Sequence, residues 1–129
     1  MQNASVFLIK MRRALTEQEL HNLAMNIVGK QLEEEGFEFM GINSKPKKNP
    51  QYVCLKDKIL HFIVVRNVDY PRNTREFDVA LMQKVKNQAD KFEAKTYYAG
   101  VGLSNASNQE LPVYLNEDYI VDYQGLIEI

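Results

Sequence analysis

Seven consecutive residues, Ile59 to Val65, read Ile-Leu-His-Phe-Ile-Val-Val, and only His61 interrupts the apolar run. A run this short, rich in branched side chains and lacking a polar face, is the pattern of a strand covered on both sides. Such a strand sits in the middle of a sheet and demands a layer above it and a layer below. The turn signal Lys56-Asp57-Lys58 precedes it, and before the turn Tyr52 to Leu55 forms a second short apolar run. The spacing predicts a hairpin over Tyr52 to Asn67 at the centre of an α/β molecule.

The flanking segments supply the layers. Thr16 stands three residues ahead of Glu19, a capping box, and Leu15 and Leu20 occupy the positions of a hydrophobic staple. Behind them Leu20, Leu23, Ala24, Ile27, Val28 and Leu32 repeat at helical spacing until Gly36 stops the helix. Gly-Phe-Glu-Phe-Met-Gly-Ile-Asn is a first strand, followed by a loop in which Pro46 and Pro50 bar continuous pairing. After the hairpin, Asp69 to Asn73 turns into a second helix expected near Thr74 to Lys95, with Phe77, Leu81, Val85, Ala89 and Phe92 on one face. The chain returns as the strand Thr-Tyr-Tyr-Ala-Gly-Val-Gly-Leu. A helical connection of this length makes that strand parallel to the one before it. The tail Leu111 to Ile129 adds one or two strands. Residues 1–13 read as an extension and residues 14–129 as a single domain, with the order helix-β-β-β-helix-β and extra C-terminal strands.

Charge and cysteine content restrict the chemistry. Lys and Arg number 16 against 17 Asp and Glu, for a net charge of -1, so no global basic field draws the chain to nucleic acid. The lone Cys54 excludes an internal disulfide, and with two histidines it cannot close a zinc site. The apolar run Val6 to Ile9 is much shorter than a signal-peptide core or a membrane span. These features predict a cytoplasmic protein with no metal and no cofactor. Gly100-Val101-Gly102 follows a strand as a dinucleotide fingerprint would, but Asn105 replaces its last glycine, and Ser104 to Pro112 has the composition of a loop rather than of a helix start.

The hairpin, with the elements around it, resembles the central part of nucleases bearing the PD-(D/E)xK motif, in particular the small Holliday-junction-resolvase-like proteins. The resemblance implies a restriction-endonuclease-like core, in which one acid on the first strand and an ExK on the second hold a divalent metal. Aligned on the turn, Tyr52 stands where the first acid belongs and Val64-Val65-Arg66 where ExK belongs. Strand alternation puts Phe62, Val64 and Arg66 on one face. A three-residue turn centred on Asp57 presents Tyr52 to that face, whereas a two-residue turn presents Gln51. Neither register offers a carboxylate. What remains is a candidate binding site of Arg66, Tyr52, Gln51, Asn67 and the loop residue Lys48. Arg66 is the planar, permanently charged group suited to a carboxylate or phosphate. The alternative is a divergent nuclease whose metal ligands have migrated to Asp69 and Asp78.

A second resemblance runs from Leu15 onward, on the segments Leu15 to Val53, Tyr98 to Leu103 and Leu111 to Ile129. They look like a family of short bacterial proteins commonly labelled as a component of the sodium-translocating NADH:quinone reductase, the one that carries an iron–sulfur cluster and a flavin. That label implies four cysteines around the cluster and a flavin module, which a chain with one cysteine does not accommodate. The expectation is therefore a noncatalytic binding or assembly module on a nuclease-like scaffold. A role as an accessory to that reductase rests on the label alone. Strands near both chain ends leave edges to cover, and the expected partner is a second copy of the chain.

Overall fold

The computed structural model describes residues 12–129. Thr16 opens α1 (Glu17–Glu34) through the expected reciprocal cap. Its side chain accepts from the Glu19 amide at 3.1 Å, and the Glu19 carboxylate accepts from the Thr16 amide at 3.0 Å. The helix ends before Gly36, whose φ of +84° is the left-handed conformation that favours glycine. Five further elements build the sheet to its last crossover strand: β1 (Glu38–Ile42), β2 (Tyr52–Lys56), β3 (Ile59–Asp69), then α2 (Val79–Asp90) and β4 (Lys95–Asn105). The tail contributes β5 (Tyr119–Tyr123) and β6 (Ile127–Glu128).

The strand order is β1-β2-β3-β4-β5, and β6 also pairs with β4. All pairs are antiparallel except β3 with β4, which the α2 crossover makes parallel. The far edge of β4 is divided between the two tail strands: β5 takes Val101 to Asn105 and β6 takes Tyr97 and Tyr98. The continuous apolar run of β3 is buried on both faces, as its composition requires. Ile63 and Val65 belong to the core under α1 with Ala24, Val28 and Leu32, while Val64 packs beneath α2 with Met82 and Val85. The molecule is thus a three-layer α/β arrangement with a mixed six-stranded sheet.

The second helix is shorter than its periodicity implies. Expected from near Thr74, it begins only after Asp78, whose Oδ1 accepts from the Leu81 amide at 3.0 Å as an N-cap. The residues before it, Tyr70 to Phe77, instead form a strap laid over the sheet. The two glycines of Gly100-Val101-Gly102 explain why. A Cβ on Gly100 would lie 2.0 Å from the Thr74 carbonyl oxygen, and one on Gly102 would lie 2.9 Å from Thr74 Cγ2. Close backbone approach, not phosphate binding, is what these glycines serve. Of the expected extension over residues 1–13, only Arg12 and Arg13 are described, and the Val6 to Ile9 run lies outside the described residues. Arg12 pairs with Glu117 at 2.8 Å and Arg13 with Glu19 at 2.7 Å.

Candidate functional site

The hairpin turn determines which residue faces Arg66. Asp57 and Lys58 both have positive φ, 53° and 66°, and Lys56 pairs with Ile59, so the turn has two residues. Tyr52 therefore lies opposite Ile63 and Gln51 comes next to Val64. Tyr52 is corrected out of the site. It points to the α1 face, where its hydroxyl donates to the Met25 carbonyl at 2.8 Å and its ring packs against Phe39. Gly29 of α1 leaves the room, since a Cβ there would sit 2.6 Å from the Tyr52 hydroxyl.

Gln51 is fully buried and saturated. Its Oε1 accepts from the Val65 amide at 2.7 Å and from Arg66 Nη1 at 3.4 Å. Its Nε2 donates to the Lys45 and Lys48 carbonyls and to Asn49 Oδ1 at 3.4, 3.2 and 3.1 Å. Arg66 completes the knot, with Nη2 on Asn49 Oδ1 at 2.8 Å and Nη1 on the Val65 carbonyl at 2.9 Å. These two side chains staple the proline-containing loop to β3. Burial pulls the Arg66 pKa below its ordinary value, opposed by Tyr98 and Asp78. Lys48 gives its carbonyl to this knot. Its side chain borders a separate cavity of about 630 Å³, beside Lys47, Lys84 and Phe62.

Beyond the knot, where β3 ends and α2 begins, Arg66 lines a cavity of about 390 Å³. The cavity lies over the α2 face of the sheet, beside the C-terminal half of β3 and the start of β4. Arg72 and Glu76 reach it from the strap, Asp78 from the N-cap, and Tyr98 from β4. Tyr98 is only 4% exposed as a residue, and its hydroxyl, which is not among the buried unpartnered polar atoms, makes no hydrogen bond to another described residue. Its ring packs on Phe77 at 5.2 Å between centroids. Burial raises the phenol's pKa, and the charges of Arg66 and Arg72 act in the opposite sense. Asn67 contributes to the lining. By strand alternation its side chain belongs to the opposite face, where Oδ1 is buried without a partner.

Of the five residues singled out from sequence, the structure brings Arg66, Gln51 and the Lys48 carbonyl together, keeps Asn67 adjacent through the backbone, and sends Tyr52 away. Sequence reasoning missed Arg72, Glu76 and Tyr98. A signal was present: Tyr98, Gly100 and Gly102 share one face of a strand, and two glycines there announce a close approach by another segment. Asp69 does not line the cavity, and among the described residues no three His, Cys, Asp or Glu side chains are grouped to hold a metal ion. No described helix is long and apolar enough to cross a membrane.

A family model described as a domain of unknown function, DUF8840, matches residues 18–129, from the first turn of α1 to the last residue. No curated protein and no solved structure matches the chain.

Proposed function

We propose that this chain, which belongs to the DUF8840 family of unknown function, is a noncatalytic binding module that takes the acidic group of a small ligand into the cavity at the end of β3. The observation that carries the reading is the cavity itself, where Arg66, Arg72 and the Tyr98 phenol come together and neither arginine forms an ion pair with a described residue. A carboxylate or phosphate oxygen entering the cavity is met there by charge-assisted hydrogen bonds. The scaffold we assign is the restriction-endonuclease-like one, supported by the element order from α1 to β4. At the positions where that scaffold carries its acids, this chain has Gln51 and Val64, and neither offers an anionic ligand to a cation. A second copy of the chain is the proposed protein partner, through the outer edge of β5.

The test is a thermal-shift and NMR titration of the full chain with small carboxylates and inorganic phosphate. Binding that moves the amides around Arg66, Arg72 and Tyr98, and weakens about tenfold or more in Arg72→Gln and Tyr98→Phe, supports the reading. Perturbations confined to other surfaces count against it. In parallel, duplex, single-stranded and branched DNA are incubated with magnesium or manganese. Cleavage that is lost in Asp69→Asn or Asp78→Asn with the fold retained replaces this reading by the divergent nuclease.

A further inference from the structure

The cavity beside Arg66 is lined by charges of both signs. Arg66 and Arg72 stand against Glu76 and Asp78, and none of the four forms an ion pair with another described residue. Arg72 and Glu76 are the informative pair. They lie four residues apart on the same strap and border the same space without forming an ion pair. Leu81, Met82 and Phe77 close the remainder with apolar surface.

This lining discriminates among acids. A doubly charged phosphate entering toward the arginines also faces two carboxylates. At equal distance a like-charge contact costs roughly what an opposite-charge contact supplies, so the gain largely cancels. A simple carboxylate fares better and leaves Glu76 and the free oxygen of Asp78 unanswered. A molecule carrying a carboxylate and an ammonium next to each other satisfies both sets. The Arg66 Nη atoms are already engaged by Asn49, Gln51 and the Val65 carbonyl. The carboxylate is therefore taken by Arg72 and the Tyr98 hydroxyl, with Arg66 supplying a fixed positive charge behind them. The volume of about 390 Å³ falls within the range of small-molecule sites.

We infer that the ligand is zwitterionic, a free α-amino acid with an apolar side chain. Its carboxylate lies toward Arg72 and Tyr98, its ammonium toward Glu76 and Asp78, and its side chain toward Phe77, Leu81 and Met82. The inference rests on the cavity being the ligand site proposed above.

The experiment is isothermal titration of the full chain with four probes: L-leucine, isocaproate (leucine without the amino group), isoamylamine (leucine without the carboxylate) and inorganic phosphate. L-leucine is expected to bind at least about tenfold more tightly than any other probe. Glu76→Gln weakens L-leucine about tenfold and does not weaken isocaproate, whereas Arg72→Gln weakens both and does not weaken isoamylamine. Neither substitution touches the core, and unchanged thermal melting verifies that each variant is folded. Isocaproate or phosphate binding in this cavity as tightly as L-leucine overturns the zwitterion and leaves the acid-binding reading standing. Failure of all four probes to bind there overturns both.

Discussion

Gln51 shows how much structure one buried side chain can hold. Its amide donates toward three acceptors of the loop and accepts from the Val65 amide. Gln51→Leu leaves the Val65 N–H and part of the Arg66 guanidinium unanswered in a buried place, and is expected to cost about 2 to 4 kcal/mol in urea unfolding. Gln51→Glu is expected to be destabilising as well, because a carboxylate meets three acceptors and has no proton to give them. A Glu variant as stable as the wild type would refute this account of the knot. His21 adds a pH dependence. Its Nε2 is buried without a partner, and burial followed by the Arg66 charge lowers its pKa; burial lowers that of His61 too. A base whose folded pKa is depressed binds protons more readily when unfolded, so its stabilising contribution is complete above about pH 6.5, the ordinary histidine value, and is lost as pH falls through the folded pKa. Urea midpoints measured across that window are expected to fall with acid, and to fall less steeply in His21→Gln.

The element that decides the site is the strap between β3 and α2. Helical periodicity extends back to Thr74, but Asp78 caps the helix and the preceding residues lie against Gly100 and Gly102. Gly100→Ala is expected to destabilise by about 3 kcal/mol or more, since the new methyl meets a backbone oxygen that cannot turn aside. A Cβ on Gly102 meets side-chain atoms, Thr74 Cγ2 at 2.9 Å and Asp122 Cβ at 3.3 Å, and Gly102→Ala is expected to cost about 1 kcal/mol. Thermal melting of the two variants tests the order, and equal losses would show that the strap yields as easily as a side chain. A folded Gly100→Ala variant is also expected to lose the amide shifts caused by ligand, because a displaced strap carries Arg72 and Glu76 away with it. Arg66 was legible from sequence as a charged residue at a strand end. Arg72 and Glu76 were not, because nothing local says that a loop will be pinned down by glycines more than 20 residues later.

At the scale of the molecule, the sheet has two open edges. On β1 Met40 and Ile42 are exposed, and along β5 Tyr119, Ile120 and Val121 are each 39–44% exposed, with no described strand on the outer side. Apolar residues on a free edge favour pairing with another copy. Light scattering at micromolar concentration is expected to give a dimer mass that Val121→Lys reduces to a monomer. A wild-type monomer would dismiss the β5 edge as an interface. The layered architecture was readable beforehand, because capping boxes, helical stripes and a doubly apolar strand are local patterns whose burial has one efficient solution. The caps of α1, the parallel β3–β4 pair and the strands of the tail all follow from such patterns. The hairpin register was readable only as a choice, with Gln51 and Tyr52 exchanging faces on a single turn residue. Tertiary structure alone made that choice and built the cavity, because the face a strand residue occupies and the place where a strap rests depend on packing against residues distant in the chain, and that energy is not written in any local stretch of sequence.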